Sequence, residues 1–531
     1  MTTFTGTGAL VRLALRRDRI RLPAWILGIV VLAGYSAAEL EIAYPTTANL
    51  EGVITFVRGP AGTLLSGPGY GLDNPTHATV FAAIYGLYVL IGAAVMSALT
   101  VVRHTRGEEE SGRAEMVRSN PTGRHSQTAA ALIVAALASL VLGALVAAAL
   151  ATTFDPAGSV LFGCGVAGVG LAFAGIAAVA AQITEHARSA TGLSVGAIGA
   201  ALVLRGVGDT LTPYGNLVSW FSPFAWAQQT RPYVDPRWWP LGWCLVVLVV
   251  GVAVALAVQD RRDVGAGLVR ARLGAAHASA LLTGSFGLMM RLERSSLVIW
   301  TGAVGLAALL FGSLASAVEA SAADLPTYAI EVMGGDPGQL LGGFLGTMFF
   351  FDAILATCYG VTAMHRLTLE ESTGRSEVVL ATATSRWGWM GSGVAGAILG
   401  SAVVLLAAGL GLGVAAAATL GDPSRIAQSL GGHLSYLPAV AVVIAVAAVG
   451  YGLRAGWVGF AWVLVGLATL LGSFGSLLKL PSFVLDLSPF EHVARVPSVP
   501  FAVTPLVVLS AVAVIGVAGG LAAYRRRDVV G

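Results

Sequence analysis

Residues 108–124 read EEESGRAEMVRSNPTGR, a charged stretch between two long apolar runs. Residues 370–386 read EESTGRSEVVLATATSR and lie at a similar place in the second half of the chain. Five residues recur with the same type and spacing, at a shift of 262: Glu108, Gly112, Arg113, Glu115 and Arg124 return as Glu370, Gly374, Arg375, Glu377 and Arg386. A solvated loop would explain either stretch alone, but the duplication favours a function. We name residues 108–124 the first lever and residues 370–386 the second lever, because we expect a partner to act on the chain there.

The composition around the levers is that of a membrane protein. The chain has 531 residues, of which 56% are hydrophobic and 11% charged, and its mean hydropathy is +0.79. Soluble proteins carry about 25% charged residues, so this chain could not cover a water-facing surface. Cys164, Cys244 and Cys358 lie in apolar runs without CxxC spacing, so we expect buried thiols rather than disulfides or a zinc site.

Apolar runs long enough to span a bilayer, which takes about 20 residues, recur along the whole chain. The predicted spans are residues 22–40, 78–102, 127–153, 157–182, 190–206 and 239–258, and then 296–318, 341–364, 388–419, 435–452, 455–477 and 503–524. The predicted fold is therefore all-α, with twelve spans in two six-span halves, residues 1–265 and 266–531. Within the fourth run, Gly163, Gly165 and Gly168 fit GxGxxG, but inside a span we interpret them as helix-packing glycines.

The distribution of arginine predicts the orientation of the spans. With the N-terminus placed in the cytoplasm, the inner segments hold 24 arginines and the outer segments seven basic residues, together all 31. Cytoplasmic loops carry the excess of Lys and Arg. Both termini and both levers are therefore expected in the cytoplasm.

Residues 10–21 read LVRLALRRDRIR and are expected to form a short helix on the inner membrane surface. A signal peptide is the alternative. We reject it because Arg16, Asp18, Arg19 and Trp25 recur mid-chain as Arg291, Glu293, Arg294 and Trp300, at a shift of 275. Just before that recurrence, residues 279–290 are apolar but too short to span, and a second surface-lying helix is expected there.

Two further repeats support pseudo-symmetric halves related by an axis along the membrane normal. RRDV follows the last span of each half, at residues 261–264 and 526–529. Ser-Pro-Phe precedes the last span of each half. These residues are candidates for an outer gate: Ser222, Pro223, Phe224, Ser488, Pro489 and Phe490. The alternative is an aromatic belt at the membrane interface.

Asp352 is a carboxylate in the middle of a predicted span. An intramembrane charge usually faces a cavity or a partner, so Asp352 could contact substrate or a cation. The alternative is a hydrogen-bonded aspartate that bridges helices, for example to Tyr359. Aromatic residues are candidates for the same path, with packing or lipid contact as their alternative: Phe349, Phe350, Phe351, Phe81, Tyr85, Tyr88 and Tyr359.

Glu110, Gly112 and Glu115, followed by Pro121 and Arg124, resemble the signature of ABC-2 type exporter permeases between their second and third spans. The whole chain looks like the actinobacterial permeases of polyketide-antibiotic (tetronasin-type) and multidrug exporters. The resemblance implies that the levers are coupling helices that dock on a separate ATPase. The coupling residues would be Glu108, Glu110, Gly112, Arg113, Glu115, Pro121, Arg124, Glu370, Glu371, Gly374, Arg375, Glu377 and Arg386. The second lever departs from the pattern, because Ser372 and Ala383 stand where the first has Glu110 and Pro121.

The only lysine, Lys479, is not part of a GxxxxGK[ST] phosphate-binding loop. We therefore expect no cofactor and no catalytic residue in this chain, with ATP and Mg in two copies of a partner ATPase. The histidines show no metal-ligand spacing, and no nucleic-acid partner is expected. The expected function is export of amphipathic or hydrophobic compounds (drugs, antibiotics or lipids) across a bacterial cell membrane by alternating access. The alternatives are an ion-gradient-driven transporter that uses Asp352 and, less supported, a membrane-embedded enzyme.

Overall fold

The computed structural model describes residues 3–45, 50, 54, 57–58, 62–63, 66–212, 214–263, 265–268, 277, 279, 282–321, 340–474 and 481–528. All regular elements in these ranges are helices, which confirms the predicted all-α class. The chain divides into two compact units, Met1–Gly274 and Ala275–Gly531. We call them the first and the second unit.

The helices of the first unit are α1 (Thr7–Arg17), α2 (Arg21–Ala43), α3 (His77–Ile84), α4 (Gly86–His104), α5 (Arg106–Glu110), α6 (Arg113–Arg118), α7 (Ser126–Leu150), α8 (Pro156–Ile183), α9 (Ala187–Leu211), α10 (Pro223–Gln228) and α11 (Leu241–Gln259). Those of the second unit are α12 (Ser285–Gly312), α13 (Ala315–Ser321), α14 (Leu340–Ser372), α15 (Arg375–Leu380), α16 (Arg386–Leu420), α17 (Ser424–Ser435), α18 (Leu437–Leu453), α19 (Phe460–Phe474), α20 (Ser482–Leu485) and α21 (Val503–Arg526).

Twelve stretches of the described residues are long and apolar enough to cross a membrane, six in each unit. In the first unit they are α2, α4 with α5, α7, α8, α9 and α11. In the second they are α12, α14, α16, α17 with α18, the stretch Ala455–Gly472, and α21. Each predicted span thus has its helix, although the fourth span of the second unit begins at Ser424 rather than at residue 435.

In the first unit α8 is the central helix and packs against α4, α7 and α11. Against α7, a Cβ on Gly163 would overlap the carbonyl oxygen of Gly143. Only glycine allows two helix backbones to approach so closely. The interpretation of Gly163 as a packing glycine is confirmed. In the second unit α16 packs against α12, α14 and α17, and α18 packs against α21.

The start of the two units differs from the sequence prediction in one respect. The surface helix expected near the N-terminus is α1, which ends at Arg17, and Asp18 caps it before α2 begins. The separate surface helix expected over residues 279–290 is wrong, because residues 285–290 are the first turns of α12 and continue into the span. Glu293 is buried within that helix, so its charge does not interrupt the helix.

Candidate functional site

Both levers consist of a helix, a glycine turn and a second short helix. In the first lever α5 ends at Glu110 and α6 begins after Gly112, which has φ +73°. In the second lever α14 ends at Ser372 and α15 begins after Gly374, which has φ +72°. Glycine adopts this left-handed conformation without steric cost, whereas other residues do not. The glycine is therefore repeated because the backbone of each turn requires a left-handed conformation.

A glutamate–arginine pair closes each glycine turn. Glu108 accepts from Arg113, with Oε2–Nε 2.9 Å and Oε1–Nη2 3.4 Å. Glu370 accepts from Arg375 in the same way, with 2.6 Å and 3.1 Å. The carboxylates raise the pKa of both guanidinium groups. Such two-pronged pairs fix geometry as well as charge, so the repeated residues hold the two turns in the same shape.

The short helices α6 and α15 present equivalent side chains to the outside. Glu115 and Glu377 are exposed at corresponding positions. The next residue in each lever is apolar and also exposed, with Met116 at 65% and Val378 at 71%. The sequence analysis did not single out these two, because methionine and valine do not match by type. Each lever therefore presents an acid beside an exposed apolar side chain.

A second ion pair fastens each lever to its own unit, and the sequence analysis missed it. In the first unit Arg262 pairs with Glu109 at 2.8 Å and 3.0 Å. In the second unit Arg527 pairs with Glu371 at 2.7 Å. Both arginines are the second of an RRDV repeat, so that repeat was the signal for the pairing. Of these four residues, only Glu371 was among the candidates.

The far end of each lever also contacts the end of the last span. Arg124 donates to the carbonyl oxygen of Gln259 at 2.9 Å and lies 3.2 Å from a carboxylate oxygen of Asp260. Arg386 donates to the carbonyl oxygens of Arg525 and Arg527, at 3.3 Å and 2.5 Å. The candidate residues Arg124 and Arg386 therefore contact the end of the last span of their own unit.

The levers differ at the positions where the sequence departs from its repeat. Glu110 accepts a hydrogen bond from the backbone N–H of Ala187, the first residue of α9, at 2.9 Å. At the corresponding position Ser372 donates to the carbonyl oxygen of Leu369 in its own helix. Pro121 and Ala383 are both exposed. The first lever thus has a contact to α9 that Ser372 does not supply to the second.

Asp352 is paired with His433, which the sequence analysis did not propose. The distance from Asp352 Oδ2 to His433 Nε2 is 3.0 Å, and His433 Nδ1 lies 2.8 Å from the carbonyl oxygen of Ser429. Because a carbonyl oxygen only accepts, His433 Nδ1 is placed to donate to Ser429, and Nε2 faces the carboxylate of Asp352. The expectation of a bridge to Tyr359 is wrong: its buried hydroxyl has no hydrogen-bond partner among the described residues. The bridge joins α14 to α17.

The aromatic residues considered for a substrate path fall into two groups. Phe81, Phe349, Phe350 and Tyr359 are buried in the packing of their own units. Tyr88 and Phe351 are exposed at 48% and 39%, and Tyr85 is half-buried. Contact of any of them with substrate stays a prediction.

Both Ser-Pro-Phe turns are buried and pack on the helices of their own unit. The ring of Phe224 lies 5.2 Å from that of Phe173 on α8. The ring of Phe490 lies 6.1 Å from Phe350 on α14 and 6.3 Å from Tyr436 beside α18. The turns thus resemble each other in burial and in packing, whereas a gating role stays a prediction.

Two compact units of six candidate spans, each with a charged lever, define a multi-pass membrane protein. The chain belongs to the family described as multidrug efflux system permease Rv1217c, C-terminal domain, whose model matches residues 9–258 and 282–525. It is 39% identical over 534 residues to the multidrug efflux system permease protein Rv1217c of Mycobacterium tuberculosis, and the alignment covers 99% of this chain and 96% of the relative. The chain is therefore the membrane component of an efflux system. The function expected from the sequence is confirmed at that level.

Proposed function

We propose that the chain is the membrane subunit of an ATP-driven exporter of the ABC-2 type, and that each lever docks one copy of a separately encoded ATPase. The observation that carries this proposal is the duplicated surface of the levers. Glu115 with Met116, and Glu377 with Val378, stand exposed behind the same glycine turn, closed by the same ion pair. Two equivalent surfaces on one chain suit two identical partners.

In this proposal the chain does not hydrolyse ATP itself. Its single lysine lacks the context of a phosphate-binding loop, so ATP and Mg would be bound by the partner subunits. The excess of arginine on the lever side supports a cytoplasmic position for the levers and both termini, in a bacterial cell membrane. Binding and hydrolysis of ATP would shift the population between inward-facing and outward-facing states.

The substrates proposed are amphipathic or hydrophobic compounds, such as drugs, antibiotics or lipids, carried out of the cell. The related protein of Mycobacterium tuberculosis is named for multidrug efflux. Only 11% of the residues in this chain are charged, and the spans offer few groups that would bind a strongly charged substrate.

Co-purification with the ATPase tests the proposal. We expect the wild-type chain to retain two ATPase subunits, and the double variant Glu115→Arg/Glu377→Arg to lose them. Asp486→Arg is a matched control, because Asp486 is also exposed but lies far in sequence from both levers. A wild-type chain that purifies alone and still transports without nucleotide would contradict the proposal.

A second candidate is a transporter driven by a proton gradient, and one observation favours it. Asp352 and His433 lie within hydrogen-bond distance of each other inside a span, and ionisable side chains so placed form the proton relays of such transporters. Membrane vesicles separate the two candidates. If transport needs nucleotide and survives collapse of the gradient by a protonophore, the ATP-driven exporter holds. If it needs the gradient and is lost in Asp352→Asn, the second candidate holds.

A further inference from the structure

We propose that two ion pairs, Glu109–Arg262 and Glu371–Arg527, are clamps that transmit movement of each lever to the last span of its own unit. The inference rests on the proposed function, because it needs a partner that moves the levers. It adds Glu109, Arg262 and Arg527 to the residues that act in coupling. These are positioning residues, since nothing in the argument requires them to touch substrate or ATPase.

The first clamp joins the inner ends of three spans. Arg262 follows α11 and binds both carboxylate oxygens of Glu109, which lies on α5 at the base of the first lever. Its Nε donates to the side chain of Gln182, near the end of α8, at 2.7 Å. Arg106, also on α5, donates to Glu109 at 2.8 Å and to the carbonyl oxygen of Ala181. The side chains of Glu109 and Arg262 are both only 6% exposed.

The second clamp joins the corresponding spans of the second unit with different side chains. Arg527 follows α21 and binds Glu371 at the end of α14. Its guanidinium lies 5.2 Å from the ring centre of Tyr451 on α18 and 5.3 Å from that of Tyr524 on α21. The two tyrosine rings are stacked. Stacking of arginine on aromatic rings takes the place of the Gln182 hydrogen bond.

The other end of each lever is attached to the same last span. Arg124, at the end of the first lever, contacts Gln259 and Asp260 at the end of α11. Arg386, at the end of the second lever, contacts the backbone at the end of α21. Each lever is therefore held at both of its ends by one helix. A push on the lever reaches that helix directly, and not only through the two spans that the lever connects.

The helices held by the clamps also contact the Ser-Pro-Phe turns. In the first unit Phe224, of the turn that precedes α11, contacts Phe173 in the interior of α8, which ends at the clamp. In the second unit Phe490 precedes α21 and packs beside Tyr436 at the start of α18. The clamp and the turn are thus linked by the same two helices in each unit, the fourth span and the last.

Stability alone does not explain the two clamps. A buried ion pair often contributes less to stability than a well-packed apolar pair of the same size. Here the pair recurs at the same place in both units, while its surroundings differ: Gln182 in one, Tyr451 and Tyr524 in the other. What the two units share is the ion pair that connects the lever to the last span. We therefore assign a function to that connection, and not to its surroundings.

Labelling at the Ser-Pro-Phe turns tests the clamps in the complex with its ATPase. With the native cysteines replaced by alanine, Phe221→Cys and Leu487→Cys place a thiol on an exposed residue just before each turn. The readout is the labelling rate with a membrane-impermeant maleimide, without nucleotide and with ATP and vanadate. The clamp variants are Arg262→Gln and Arg527→Gln. Their matched controls are Arg261→Gln and Arg526→Gln, the exposed neighbouring arginines of the same repeats.

We expect nucleotide to change the labelling rate in the wild type and in both controls. Each clamp variant should still bind the ATPase, but its nucleotide-dependent change should fall about fivefold or more, as for coupling between distant sites. The exchanged pair Glu371→Arg/Arg527→Glu should recover part of the change, because Glu371 has no second arginine partner among the described residues. A merely structural arginine would not predict that recovery.

Three results would overturn the inference, and they differ from failure of the proposed function. The clamps do not transmit movement if the variants respond to nucleotide like the wild type, if the controls lose the response equally, or if the variants lose the ATPase itself. A wild-type chain that binds no ATPase would instead contradict the proposed function.

Discussion

The first lever follows a break in its helix and takes a partner from α1, whereas the second lever begins as the unbroken continuation of α14. Before the first lever the helix breaks at Thr105, and Arg17 of α1 joins Glu108 at 2.7 Å. Before the second lever α14 runs unbroken to Ser372, and Arg366 of the same helix joins Glu370 at 3.0 Å. Glu108 and Glu370 correspond, but their second arginine partners do not. Arg17 comes from a different helix in the first unit, whereas Arg366 lies on the same helix as Glu370 in the second unit. The repeated glycine, glutamate and arginine therefore define the shape of the turn. The residues that differ, such as Arg17 and Arg366, determine which helix holds each lever in place.

The largest difference between the two levers is expected at Arg106 and its counterpart Thr368. Arg106 is fully buried and pairs with Glu109, whereas Thr368 donates one hydrogen bond to the carbonyl oxygen of Ala455. Arg106 makes several buried hydrogen bonds, and one that involves a charged group contributes about 1.5–3 kcal/mol, whereas loss of one neutral hydrogen bond costs about 1 kcal/mol. Arg106→Ala should therefore lower the free energy of unfolding in detergent much more than Thr368→Ala. Equal losses would show that the two levers are fastened alike.

Replacing the turn glycine should lower stability equally in the two levers, because both levers have the same glycine turn. At Gly112 and Gly374 a Cβ would meet no atom of the described residues within 4 Å, so only the backbone opposes a side chain. A left-handed non-glycine residue costs about 1–2 kcal/mol. Gly112→Ala and Gly374→Ala should lower stability by that amount in thermal unfolding. Gly107→Ala is the control inside α5, where alanine should raise stability slightly; a large difference between the two turn variants would break the comparison.

The smallest expected difference is at Glu110 and Ser372. Glu110 supplies the acceptor for the first N–H group of α9, and loss of such a cap costs about 1 kcal/mol. Ser372 bonds only within its own helix, so Ser372→Ala should change stability by less than half of that. Unfolding of the two alanine variants by denaturant checks the order. If Ser372→Ala were the more costly, the second lever would have a contact equivalent to that of Glu110.

The spans were predictable because their signal is local. A bilayer requires a long apolar run, and each such run in the sequence became a helix in the structure. The glycine turns were also predictable, since Gly112 and Gly374 repeat with their flanking charges. The surface helix over residues 279–290 was not, because the same residues continue into α12 and nothing local separates the two alternatives.

The side-chain pairs between different spans could not be predicted from the sequence, because they depend on which helices pack together. Glu109 looked like one of three adjacent acids, and only the position of α11 beside α5 selects it for Arg262. His433 was missed for a related reason. The predicted span began at residue 435, so the histidine was placed outside the membrane, whereas α17 extends the helical stretch back to Ser424 and brings His433 to Asp352.

The contact between Glu110 and Ala187 makes one backbone amide a reporter of the first lever. While the lever is seated, the N–H of Ala187 is bonded to a carboxylate; when it moves away, that N–H has lost its acceptor. Its exchange with deuterated solvent would then speed up, and mass spectrometry of the peptide containing residue 187 would register the movement without any label. Since Ser372 keeps its bond within α14, the movement of one lever can be followed separately from that of the other in the unmodified chain.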